Sequence, residues 1–132
     1  MIRYILSLLL LFVAFCSTCD ITATLESQTW HLIYAQITFN NKTVSPVYTF
    51  SNDGEQKKVH IQDRSSMMCN NNPTKIEVFK EYPKKGVKPF AKSEAYIDGF
   101  GFLNYIIVND GIWMGARVGV ACLAGDCGAA RG

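Results

Sequence analysis

The chain is poor in histidine, proline and charge: 132 residues hold two His, four Pro and only 18% Asp, Glu, Lys and Arg. His31 and His60 stand far from the five cysteines and show no ligand spacing, so no metal site and no cofactor is expected. The sequence has no Gly-x-Ser-x-Gly, no His-Glu-x-x-His and no glycine-rich phosphate loop. The sequence marks of many hydrolases, metalloproteases and nucleotide-binding enzymes are therefore absent. His60 has Asp63, Arg64, Ser65 and Ser66 close in sequence, but nothing marks either serine as an activated nucleophile. No enzymatic activity is expected. A net charge of +2 is too small for general nucleic-acid affinity. No apolar run reaches the length of about eighteen residues that a membrane-spanning helix needs, so no stable membrane span is expected.

What is present begins at the N-terminus. Arg3 precedes thirteen residues, 4–16, that are apolar except for Ser7, and a short polar segment follows at 17–20. A basic start, an apolar centre and small residues after it form the pattern of a secretory signal peptide, placed here at residues 1–18. The expected location is extracellular. Small residues stand one and three positions before two cuts, after Cys16 (with Ala14) and after Cys19 (with Ser17), and both remain open. Cleavage leaves about 113 to 116 residues, the size of one domain with one core. Cutting after Cys16 leaves Cys19, Cys69, Cys122 and Cys127, enough for two disulfides in three pairings. A Cys122–Cys127 bridge closes a small loop, whereas one from Cys69 to the tail closes a long loop and constrains the unfolded chain more.

The body of the chain, 19–121, reads as a single β-rich domain. Residues 30–39 are rich in aromatic and β-branched types and predict a strand. Residues 44–50 predict a second, at an edge or bulged because Pro46 cannot donate a ladder hydrogen bond. Asn52-Asp53-Gly54 and Asn109-Asp110-Gly111 are hairpin-type turns. Residues 57–62 and 75–80 alternate apolar and polar, and 102–108 and 112–120 complete the strands. Pro89 suits the first position of a helix, which predicts one short helix over 89–97. The expected architecture is a small antiparallel meander or barrel with that helix. Residues 122–132 form a Gly/Ala-rich tail expected to lack packed structure.

Three features are candidates for binding. Trp30 opens the first strong strand, where a large ring gains most from burial and would close one end of a barrel. Lys75, Lys80, Lys84, Lys85, Lys88 and Lys92 fall within eighteen residues, with Lys84, Lys85 and Lys88 in a Pro- and Gly-containing connection. Such a patch suits acidic glycans or lipid headgroups, and its lack of arginine argues against bidentate phosphate recognition. Asn41-Lys42-Thr43 is an N-glycosylation sequon in a predicted exposed turn.

Three motifs together resemble those of the lipocalins and related calycins. Gln28-Thr29-Trp30 is similar to their first-strand Gly-x-Trp, without the glycine. Tyr96-Ile97-Asp98 followed by 103–108 approximates their central Thr-Asp-Tyr region, and Trp113-Met-Gly-Ala-Arg117 supplies an arginine near the end of the last strand. The resemblance implies a β-barrel that carries a small hydrophobic molecule, with Trp30 and Arg117 stacked to close its floor. Two looser likenesses exist. Residues 25–32 together with Ser66-Met-Met-Cys69 look like bacterial envelope domains of the META type. The Cys122-x4-Cys127 ending is similar to B-subunits of secreted toxins, which implies an OB-fold that binds glycans. The leading expectation is thus a secreted, non-enzymatic protein holding a small hydrophobic ligand in a barrel pocket. The alternatives are a surface-binding module for a glycan or an extracellular protein, and a small envelope or structural secreted protein.

Overall fold

A computed structural model describes residues 4–5, 19–63 and 68–128. Among these, seven strands form one sheet: β1 (Asp20–Ser27), β2 (Ile33–Thr38), β3 (Tyr48–Phe50), β4 (Gln56–Gln62), β5 (Thr74–Phe79), β6 (Ala91–Val108) and β7 (Gly111–Gly125). Two-residue alternation dictates most of them. In β1 the residues Ile21, Ala23, Leu25 and Ser27 are buried while Asp20, Thr22, Thr24 and Glu26 are half-buried. β2 repeats the pattern with Ile33, Ala35 and Ile37, and β4 with Val59 and Ile61.

The sheet runs β3-β2-β5-β6-β1-β4, with β7 beside β6, and curls into a nearly closed, barrel-like form. All pairings are antiparallel except β1 with β6, which run parallel. The 18-residue β6 organises the rest. β5 pairs with its first part (Ala91–Ala95) and β1 with its second (Phe100–Ile107), both along one edge. β7 follows the other edge from Ala95 to Val108. The first and last residues of β6 line one cleft, so the strand is folded back on itself.

Glycines make that fold possible. Gly99, Gly101 and Gly119 all have positive φ, at 122°, 152° and 73°. A Cβ on Gly99 would collide with the Gly119 carbonyl oxygen, one on Gly101 with that of Val118, and one on Gly119 with that of Phe100. The β6 and β7 backbones thus cross in direct contact, at the register shift between Gly99 and Phe102. Both halves of β6 then aim their odd-numbered residues inward: Ser93, Ala95 and Ile97 before the crossing, Leu103, Tyr105 and Ile107 after it. With Phe50, Ile76, Val78 and Met114 these fill a single core.

A disulfide joins Cys19 to Cys69 (Cα–Cα 5.8 Å), fully buried at the start of β1. The Asp98 Oδ1 beside it accepts hydrogen bonds from the Cys69 N–H (3.3 Å) and the Gly99 N–H (2.9 Å), tying the bridge to the strand crossing. The second disulfide, Cys122–Cys127 (Cα–Cα 5.7 Å), closes the end of β7. Of the two signal cuts read from the sequence, only the one after Cys16 leaves Cys19 for this pairing.

The barrel-like β architecture is as expected, and two local expectations are corrected. Residues 91–97 are strand, not helix: Lys92, Glu94 and Tyr96 alternate with buried Ser93, Ala95 and Ile97, and β5 pairs with the segment. The tail does not begin at 122, because Cys122, Ala124 and Gly125 pair with Ile97, Tyr96 and Ala95. The regular alternation of β1, which the strand assignments from sequence omit, supplies the parallel partner of β6.

Two outcomes are expected. Gly101→Ala should lower unfolding stability by about 3 kcal/mol or more, because it meets both a carbonyl and a forbidden φ. Gly111→Ala, whose Cβ would have only the Val108 side chain at 3.9 Å, should cost far less in the same urea titration. Removing the Cys19–Cys69 bridge with Cys19→Ser/Cys69→Ser frees a 50-residue separation and should cost about 4 kcal/mol.

Candidate functional site

Four connections and the end of β7 gather at one end of the barrel. The chain leaves β1 at Ser27, whose N–H donates to the Glu55 carbonyl (2.9 Å) and whose carbonyl accepts from the Gly54 N–H (2.7 Å). The Gln28 N–H donates to the Ile107 carbonyl (2.7 Å). The Thr29 hydroxyl donates to Asn109 Oδ1 in the β6–β7 turn, and the His31 N–H donates back to Thr29 Oγ1 (3.2 Å). These bonds fix residues 27–29 against neighbouring connections, with Ser27 and Thr29 buried. The next residues emerge: Trp30 is 83% exposed and Leu32 49%.

A cleft of about 300 Å³ is lined by Thr29, His31, Leu32, Ile33, Lys80 and Asn109, with Trp30 in the same loop between two of these residues. Lys80 begins the connection from β5 to β6. Its Nζ lies 5.2 Å from the Phe90 ring centre, closing the base of that connection. Tyr82 packs edge-on against Tyr34 (centroids 5.5 Å) and stays half exposed. Beyond it, a turn with the Val87 N–H on the Lys84 carbonyl (3.0 Å) and Gly86 at φ 93° presents Lys84, Lys85 and Lys88 to solvent. Among the described residues no carboxylate lies within ion-pair distance of these three; the lysine pairs formed are Lys57–Glu55 and Lys75–Glu77.

A second cleft of about 470 Å³ opens at the same end, between Phe90, Lys92, Asp110, Ile112, Trp113 and Asp126. Under it sits Tyr105, 1% exposed. Burial first, and then the negative charge of Asp126, push its phenol well above the ordinary tyrosine range, so it stays protonated at neutral pH.

The structure thus redistributes the residues singled out from the sequence. Trp30 and Arg117 do not close a barrel floor. Trp30 projects from the loop after β1, and Arg117 is exposed on β7 opposite Leu103, while the loop departs at the level of Ile107 and Asn109. The physical reason is parity: the inward series 21, 23, 25, 27 continues to buried Thr29, held by its hydrogen bonds, so even-numbered Trp30 falls on the outward side. Phe50 and Tyr105 are the large rings of the core instead. Trp30 and the lysine connection, distant in sequence, share one end.

Asn41 is exposed at the opposite end, its Oδ1 accepting from the Thr43 N–H (3.1 Å) and hydroxyl (2.6 Å). His60 pairs with Asp20 rather than with a serine, and Ser65 and Ser66 lie outside the described residues. No described helix is long and apolar enough to cross a membrane. Sequence reasoning missed the pairing of Thr29 with Asn109, since the sequence marks Asn109 only as a turn residue and Thr29 only as part of the tryptophan motif.

No family model matches the chain, and no curated protein matches it.

Exposure decides how the two aromatics respond to mutation. Trp30→Ala should change stability by no more than about 0.5 kcal/mol, as for an ordinary surface position. Phe50→Ala should cost about 3–5 kcal/mol by opening a cavity in the core. A large loss from Trp30→Ala in thermal or urea unfolding would contradict the placement of this residue.

Proposed function

We propose that this is a secreted, non-enzymatic carbohydrate-binding protein whose ligand seat is the cleft beside Trp30. The observation that carries the reading is an 83% exposed indole in the loop whose flanking residues, Thr29 and His31, line a cleft with hydrogen-bonding side chains from three separate segments. A flat aromatic surface covers the apolar face of a sugar ring, and Thr29, His31, Lys80 and Asn109 supply partners for hydroxyls. The buried bonds of Thr29 hold the floor in place before a ligand arrives, which lowers the ordering cost of binding. Two disulfides support an oxidising, extracellular setting. The reading follows the surface-binding alternative drawn from the sequence.

A second reading rests on the larger cleft. Phe90, Val108, Ile112 and Trp113 give it an apolar wall, and about 470 Å³ is enough for a small hydrophobic molecule. This is the carrier function that the lipocalin resemblance implies, moved from the barrel interior to its mouth.

A glycan array probed with the secreted protein, followed by titration of the best sugar with tryptophan fluorescence, separates the two. The carbohydrate reading expects saturable binding that Trp30→Ala abolishes and Trp113→Ala spares. Native mass spectrometry of protein from its own host provides the counter-test. A co-purified lipid or pigment, lost in Trp113→Ala, together with a silent array would replace the first reading by the second. The same spectrum should show a mature chain starting at Ser17 and a glycan on Asn41 if the host glycosylates.

A further inference from the structure

We infer that the saccharide taken by this end of the barrel is anionic, a carboxylated or sulfated polysaccharide that runs from the Trp30 cleft onto the connection between β5 and β6. This rests on the carbohydrate-binding reading and adds to it the charge and extent of the ligand.

Three observations carry it. Lys80 lines the same cleft as Thr29 and His31, the residues on either side of Trp30. The segment that starts at Lys80 goes on to present Lys84, Lys85 and Lys88, all exposed. Among the described residues these three have no carboxylate partner, whereas Lys57 and Lys75 are neutralised by Glu55 and Glu77. Unpaired cations in succession, leading away from a sugar-sized cleft, suit a chain carrying repeated negative charges.

The acidic residues give the track its direction. Asp110 and Asp126 line the other cleft, beyond Asn109, against Lys92 alone, and tip its charge toward negative. Glu81 is the single acid within residues 80–90, against four lysines. The ligand therefore leaves Trp30 toward Lys84–Lys88 and not toward Asp110. Lysine without arginine also fits: flexible point charges follow an irregular line of sulfates or carboxylates, where bidentate forks would demand one fixed geometry. Hydrogen-bonding groups in a cleft suit the hydroxyls of a saccharide, and binding to vesicles tests a lipid surface separately.

The experiment uses the full secreted chain with three probes: heparin oligosaccharides, heparin of equal length that is desulfated, N-acetylated and carboxyl-reduced so that it carries no charge, and vesicles of anionic phospholipid. Wild type is compared with Trp30→Ala and with Lys84→Glu/Lys85→Glu/Lys88→Glu, each first checked for a wild-type unfolding curve. The proposal expects heparin binding that weakens with added salt, falls about tenfold or more in the triple variant, and also falls in Trp30→Ala.

Equal binding of the uncharged chain, indifferent to the triple variant, would overturn the anionic inference and leave the carbohydrate reading standing. Heparin binding that depends on the lysines but ignores Trp30 would reduce the surface to a nonspecific polyanion contact and overturn it too. Vesicle binding without heparin binding would replace the polysaccharide with a lipid surface. Silence from these probes together with an empty glycan array would remove both this inference and the reading beneath it.

Discussion

The close crossing of β6 and β7 is the constraint on which the rest of this structure depends. Three glycines let two backbones touch where side chains would hold them apart, and the strand pair turns back through that contact. Without the turn, an 18-residue strand would extend for about 60 Å and its two ends could not share a cleft. With it, β5 and β1 follow one another along the same edge of β6, the two parts of the sheet face each other, and one apolar core fills the space between them. The parallel pairing of β1 with β6 belongs to the same arrangement: it joins the first strand to the far half of the folded-back strand.

Asp98 links this crossing to the covalent framework. One carboxylate oxygen accepts from the backbone of Cys69 and of Gly99, so the Cys19–Cys69 bridge and the glycine turn brace each other at one end of the barrel. Nearby, Asn40 Nδ2 donates to Asp63 Oδ2 (2.9 Å) and to Asn71 Oδ1 (3.0 Å), holding together the polar connections there. The opposite end is built differently. Its connections are held at their roots, by Ser27, Gln28 and Thr29, while their tips carry exposed Trp30, Tyr82 and lysines. A braced scaffold that presents loops from one end is a general arrangement for recognition, since the loops can vary while their anchors stay fixed.

Trp30 shows why burial is the quantity that separates a packing role from a binding role. An indole in water forgoes the hydrophobic stabilisation that its size offers, and the core already has its large rings in Phe50 and Tyr105. The same residue type at the same sequence position supports opposite functions depending on which way the chain leaves β1. The lysines follow a parallel logic. A cluster in sequence is ordinarily a solvated face, and it gains meaning here because the segment that carries it begins in the cleft beside the exposed ring.

The sequence by itself determined the β character, the turns at Asn52–Gly54 and Asn109–Gly111, and the inward residues of β4 and β5. Each is written in a two-residue alternation or a turn tripeptide that needs no distant partner to be read. β1 was equally legible in its alternation. The first half of β6 was harder: Pro89 and scattered alanines imitate a helix start, and only pairing with β5 makes period two the better solution. Tertiary structure alone decided the rest. It joined Cys19 to Cys69, continued β7 through the glycine- and alanine-rich tail, and brought Lys80 into the cleft lined by the loop after β1. The physical reason is common to all three: each depends on a contact between segments remote in sequence, and local periodicity carries no information about which segments will meet.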